Sequence, residues 1–142
     1  MKRISILVAA VVCAFMVFGC ASQQKKPKAA KAAEGLQRIH FDFDRSFIKP
    51  EYEPVLKGNA DWMRANGNTN VTIEGHCDER GSVEYNIALG DRRANSAKKY
   101  LTNLGIPTSR LSTISYGKER PLCTQHDESC WWQNRRDEFV AR

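Results

Sequence analysis

The hydrophobic positions of this 142-residue chain change their period several times, and each change predicts an element. Leu36 to Phe43 alternates, with Ile39, Phe41 and Phe43 on one side and His40 and Asp42 on the other, as in a strand with one buried face. Asp44 and Ser46 end it and can cap the next element. Glu51 to Asn66 has helical spacing, with Tyr52, Val55, Leu56, Ala60 and Met63 on one face, Pro50 at the start and Asn66-Gly67-Asn68 as the stop. Asn70 to Glu74 reads as a short strand with Val71 and Ile73 inward. A long helix runs from the N-cap Ser82, with Glu84 in its first turn, to Gly105 and Pro107. Leu111 to Tyr116 is a third strand, Trp131 and Trp132 lie in a short helix, and Glu138 to Ala141 is a last strand. The order β-α-β-α-β-β implies an α+β domain, a two-layer sandwich with helices on one face of a small mixed sheet.

The long helix contains an anomaly. With Leu89 at zero on a wheel of about 100° per residue, Tyr85, Ser96, Ala97, Tyr100 and Leu104 fall on one apolar side, within about 80°. Arg93 falls inside that stripe, about 40° from Leu89, and Asn86 lies at about 60°. A guanidinium in an apolar stripe needs partners, because an unpaired buried charge is costly. Either its stem snorkels outward, or it pairs internally with Asp78 or Asp44, or it floors a pocket and presents its planar fork to a ligand carboxylate. In the last case Asp78, in the loop before the helix, is placed to take a ligand ammonium. Such a site would hold a zwitterionic amino-acid head group. Gly90, in mid-helix, costs about 1 kcal/mol against Ala and so suggests a close backbone approach.

The N-terminus is of another kind. Lys2 and Arg3 precede an uncharged apolar run, Ile4 to Phe18, whose 15 positions span only about 22 Å as a helix, short of a bilayer core. It reads as a signal peptide covering residues 1–19 and ending Val17-Phe18-Gly19-Cys20. That ending resembles the lipobox of bacterial lipoproteins, with Phe18 bulkier than usual; an ordinary signal cut elsewhere or an uncleaved anchor is the alternative. The lipobox reading implies Cys20 as a lipidated mature N-terminus, followed by a linker to Gly35 too poor in large apolar residues to fold. The folded domain is then expected over 36–142.

Charge changes the picture less than it first suggests. The formal net charge is +6, but six of the 22 basic residues and one of the 16 acidic ones precede Gly35. The remainder is nearly neutral and offers no basic face for nucleic acid.

Several spaced motifs carry a resemblance. Gly75-His76-Cys77-Asp78-Glu79-Arg80-Gly81, then Tyr85-Asn86 with Ala88-Leu89-Gly90 and Arg92-Arg93-Ala94, are similar to the peptidoglycan-binding OmpA-like domain family. Asp78-Glu79-Arg80-Gly81, Ser115-Tyr116-Gly117-Lys118-Glu119-Arg120-Pro121 and Asn134-Arg135-Arg136 favour the lipid-anchored branch that works with the Tol system, with a wall anchor of the same family outside that system as the alternative. The resemblance runs from about Ile39 to near the C-terminus. It implies non-covalent binding of the diaminopimelate of peptide stems, with Asp78 and Arg93 carrying most of the recognition and no catalysis or cofactor. It implies an outer-membrane lipid anchor facing the periplasm, and Tol partners that include the periplasmic propeller protein. Asp44 matches a family position near the ligand, with helix capping as its other reading. Arg80 fits ligand or partner protein, Asn86 is a candidate support for Arg93, and Leu89 is a candidate wall. Asp137 departs from the family, which usually places an apolar residue there.

Cysteine usage fits export. Cys123 and Cys130 flank a short polar loop and are the natural disulfide pair in an oxidising compartment. The weaker alternative is a metal set of Cys123, His126 and Cys130, which lacks a fourth ligand. A thiol hydrolase using Cys77 with His76 is weaker still, because neighbours on a strand point to opposite faces.

Overall fold

The computed structural model describes residues 35–142; the signal segment, Cys20 and the linker lie outside the described residues. Four strands form one sheet in the order β1-β4-β2-β3. They are β1 (Ile39–His40), β2 (Val71–His76), β3 (Leu111–Gly117) and β4 (Arg136–Ala141). β2 and β3 are parallel, while β4 runs antiparallel to β1 and to β2. The mixed α+β sheet and the layer of helices agree with the expectation. Because β4 inserts between β1 and β2, the last strand is central rather than marginal, and it begins two residues earlier than its hydrophobic pattern suggests.

The helices α1 (Glu53–Ala65) and α2 (Val83–Asn103) cover one face, and α3 (Glu128–Asn134) precedes β4. Leu56, Ala60 and Met63 of α1, with Ala94, Ala97 and Leu101 of α2, pack on Ile39, Val71, Ile73, Leu111 and Phe139. Removing this apolar surface from water, at about 25 cal/mol per Å², is the main stabilising term. Ser82 caps α2 as expected, its Oγ accepting from the Tyr85 N–H at 3.1 Å. Asp127 does the same for α3.

Three local expectations need correction. The first strand stops at His40, and Phe43 is 55% exposed rather than inward. Phe41 still donates its N–H to the Arg135 carbonyl at 2.9 Å. Beyond it, the carbonyls of Phe41, Asp42 and Arg45 bond to arginine side chains instead of a neighbouring strand. Asp44 does not cap a helix: its φ is 55°, a left-handed turn that Asp tolerates, and it accepts a hydrogen bond from the Tyr85 hydroxyl. The buried stripe of α2 is rotated, running through Asn86, Leu89, Gly90, Arg93, Ala94, Ala97 and Leu101. Tyr85 is exposed, and Ser96, Tyr100 and Leu104 are half-buried. The cause is Gly90, whose lack of a side chain lets α2 roll onto β2.

Candidate functional site

The site lies where the end of β2, the loop after it and the start of α2 meet the chain following β1. The Arg93 side chain is completely buried. Its Nε donates to the Arg45 carbonyl at 2.8 Å, its Nη1 to the His76 carbonyl at 2.8 Å and its Nη2 to the Asp42 carbonyl at 3.1 Å. Nη1 also lies 3.4 Å from the Cys77 sulfur. Of the readings open for this arginine, snorkelling is excluded. So is an internal ion pair with Asp78 or Asp44: its partners are three backbone carbonyls. These bonds satisfy the buried donors except one hydrogen of Nη2, and leave the charge without a directly bonded carboxylate.

Asp78 is also buried, yet heavily bonded. Its Oδ1 accepts from the Arg80 backbone N–H at 3.1 Å and from Arg80 Nε at 3.2 Å; its Oδ2 accepts from Arg80 Nη2 at 2.6 Å and Arg135 Nη1 at 3.3 Å. Burial opposes the charged form, but the bonds from Arg80 and Arg135 outweigh it and lower the pKa of Asp78. The Arg80 guanidinium is sandwiched between aromatic rings, 3.9 Å from the centre of Phe43 and 4.1 Å from that of Trp131. Trp131 is in turn fixed by donating to Glu79 at 2.8 Å.

These groups border one cleft of about 200 Å³. Asp44, Asp78, Arg80, Asn86, Leu89 and Arg93, all singled out in the sequence, line it together. Asn86 does not support Arg93. Its Nδ2 donates to the carbonyls of Arg80 at 2.9 Å and Ser82 at 3.1 Å, holding the loop against the helix. Arg135 was missed. It is 5% exposed, lines the cleft, and ties Asp78 to Glu128 and to the Phe41 carbonyl. Its motif, Asn134-Arg135-Arg136, was visible, but nothing local to it shows that the middle residue reaches across 57 positions to Asp78. Phe43, expected inside, is instead a wall of the cleft.

Cys77 is free and buried, and donates to the Asn86 carbonyl at 3.3 Å. Burial pushes its thiol up to about 11, which keeps it protonated and poorly nucleophilic. His76 makes no hydrogen bond to it: neither ring nitrogen has a partner, and the ring stacks on Tyr116 with centroids 5.4 Å apart. The thiol–imidazole dyad is therefore not formed. Cys123 and Cys130 are joined as a disulfide, with Cα atoms 5.3 Å apart, so they are not available as a thiolate metal set.

A sheet with helices on one face and a charged cleft at the β2–α2 junction define a class, and comparison gives it a name. Residues 40–135 match the OmpA family. The chain is 40% identical to the peptidoglycan-associated lipoprotein of Agrobacterium fabrum, over 91% of this chain and 83% of that one. It is 45% identical to the peptidoglycan-associated lipoprotein of Pseudomonas aeruginosa, over 76% of this chain and 64% of that one. The crystal structure of the peptidoglycan-associated lipoprotein from Burkholderia pseudomallei is similar at 36% identity with a TM-score of 0.73, covering 75% of this chain and 90% of that one. The chain belongs to the OmpA family and, within it, to the peptidoglycan-associated lipoproteins.

Proposed function

We propose that this domain binds peptidoglycan without covalent chemistry, by gripping the zwitterionic head group of a diaminopimelate residue in a stem peptide. The observation that carries the reading is the charge arrangement of the cleft: Asp44 and Asp78 share about 200 Å³ with Arg80, Arg93 and Arg135, against apolar walls from Phe43 and Leu89. A carboxylate of the ligand meets the arginines and an ammonium meets the aspartates, each charge compensated as it leaves water. Arg93, fixed by three carbonyls, is a pre-organised floor and keeps a hydrogen on Nη2 for the ligand.

In this reading Cys20 carries lipid in the outer membrane, the linker spans the gap, and the domain holds the wall from the periplasmic side. Membership among the peptidoglycan-associated lipoproteins supports that arrangement. It also supports a role in envelope integrity and cell division with Tol proteins, the propeller protein included, docking on a surface that overlaps the cleft. The Cys77 thiol in the cleft wall is held protonated by burial, which favours anchoring over thiol catalysis.

Pull-down with purified sacculi tests the binding. Wild-type protein is expected to sediment with sacculi and to be released by free diaminopimelate. Folded Asp78→Ala protein that sediments like wild type would falsify the site. Intact mass of membrane-extracted protein tests the anchor, with a lipid-modified chain beginning at Cys20 expected.

A further inference from the structure

The sheet face turned away from α1 and α2 carries a second cluster with no part in the cleft. Glu74 and His76 belong to β2 and Glu138 to β4, and each offers a ligand atom within 4.8 Å of the others. Two features of it bear on what it could hold. Glu74 and Glu138 are direct cross-strand partners, a pairing of like charges that destabilises a sheet. His76 is 2% exposed, yet neither ring nitrogen makes a hydrogen bond. Buried polar side chains almost always find a partner, and an orphan points to a missing group.

We propose that Glu74, His76 and Glu138 form a three-ligand zinc site with its remaining position open to water. One imidazole with two carboxylates suits a borderline divalent ion, and three protein ligands plus water is a common zinc arrangement. Ligand atoms on tetrahedral zinc lie roughly 3.4 Å apart for bonds of about 2.0–2.2 Å, so side-chain rotation of about an ångström closes the cluster. Arginines hold one oxygen of each glutamate: Arg142 Nη2 lies 3.1 Å from Oε1 of Glu74, and Arg136 Nε lies 2.7 Å from Oε1 of Glu138. Among the described residues no hydrogen bond takes the other oxygen of either glutamate. The arginines thus orient the carboxylates, as outer partners of metal ligands do, while their charge limits affinity. Arg38, whose Nη2 lies 3.8 Å from Oε1 of Glu138, and Arg142 have side chains 49% and 58% exposed and are screened by salt; Arg136 is buried.

The ion would staple β2 to β4 beneath the cleft. His76 also gives its backbone carbonyl to Arg93 at 2.8 Å, so fixing this residue stiffens the floor on which Arg93 rests.

Calorimetric titration of the full-length protein in detergent with zinc alone, paired with thermal unfolding, tests the site. Wild type is expected to bind one zinc and to gain melting temperature from it. Glu138→Gln, at a partly exposed position that tolerates change, should weaken binding by about tenfold or more and abolish the thermal gain, as should His76→Ala if it folds. His126→Ala, in an exposed loop away from the cluster, should bind as wild type does. Absence of zinc binding at millimolar concentration, or equal binding by wild type and folded Glu138→Gln, overturns the proposal; so does loss of the bound zinc in His126→Ala.

Discussion

A β-carbon placed on Gly75 would lie 2.0 Å from the carbonyl oxygen of Gly90. The end of β2 and the second turn of α2 therefore touch backbone to backbone, an approach that Gly75 above all requires. Real side-chain carbons never come so near, so the helix would have to lift off the sheet. Lifting it would separate Arg93 from the three carbonyls that hold it.

Gly75→Ala is expected to destabilise the domain by about 3 kcal/mol or more, at or beyond the upper end of ordinary overpacking. Gly90→Ala should cost less. Its nearest obstacle, at 2.3 Å, is the Ser115 hydroxyl, which can rotate, and the helix gains about 1 kcal/mol from the exchange. Urea unfolding of the two variants measures the order. Equal stability of Gly75→Ala and wild type would contradict the close approach.

Asp137 makes a separate prediction. It is fully buried on the helix side of β4, and neither carboxylate oxygen is hydrogen-bonded. Burial raises its pKa well above the ordinary value, with the charges of Arg93 and Arg136 opposing. For an acid with a raised folded pKa, the protonated form is the stable one. Stability is thus greatest below the unfolded pKa of about 3.9 and falls as pH rises through the folded value. Asp137→Asn should remove that slope, and Asp137→Val should gain roughly 1–3 kcal/mol at pH 7 by deleting an unpaired buried polar group. Denaturant midpoints across pH decide it. A loss of stability in Asp137→Val would mean that Arg93 depends on Asp137 as its countercharge.

Much of this fold was legible because period and capping are local. α1, α2, β3 and the α2 N-cap follow from spacings within about a dozen residues, and the disulfide from two cysteines seven apart. What could not be read depends on distant arginines. The strand ending at His40 should have continued by its alternation, but Arg93 and Arg135 claim the carbonyls that a continuing strand would have used. That diversion turns Phe43 out to face the cleft. The rotated stripe of α2 has a different origin. A wheel weights large apolar side chains, whereas the closest packing here is made by a residue with no side chain. Asp78 and Arg93 were legible as site residues because each is unusual where it stands. Arg135 is unusual only once its partner Asp78 is placed beside it.

The thiols give the third prediction. Cys77 should resist alkylation in the native protein and react on unfolding, since it is buried and its pKa lies at about 11. Non-reducing peptide mapping should recover Cys123 linked to Cys130. Reducing that bridge, which closes a loop of about eight residues, should cost at most about 2.5 kcal/mol. Native labelling of Cys77 as fast as a free thiol would show that the loop above it opens readily.

The last prediction separates two roles that the sequence posed as alternatives for Arg93, one ligand-binding and one structural. The geometry makes them one. Arg93→Ala strands the carbonyls of Asp42, Arg45 and His76 in a dry site and removes the charged floor of the cleft. Stability should fall by roughly 2–4 kcal/mol, and sacculus binding by the folded fraction should fall about 30-fold or more. Arg93→Lys should restore part of the stability, because an ammonium has three donors and can reach one or two of the carbonyls. It should restore little of the binding, because a point charge cannot hold carbonyls and a carboxylate in the same planar arrangement. Arg92→Ala, on the exposed neighbour whose guanidinium lies 5.9 Å from the Tyr85 ring, should leave both nearly unchanged. Thermal unfolding and sacculus sedimentation on these three variants, at a temperature where all are folded, give the answer. Wild-type binding by folded Arg93→Ala would reduce Arg93 to a brace for the chain after β1 and move the ligand's carboxylate to Arg80 or Arg135.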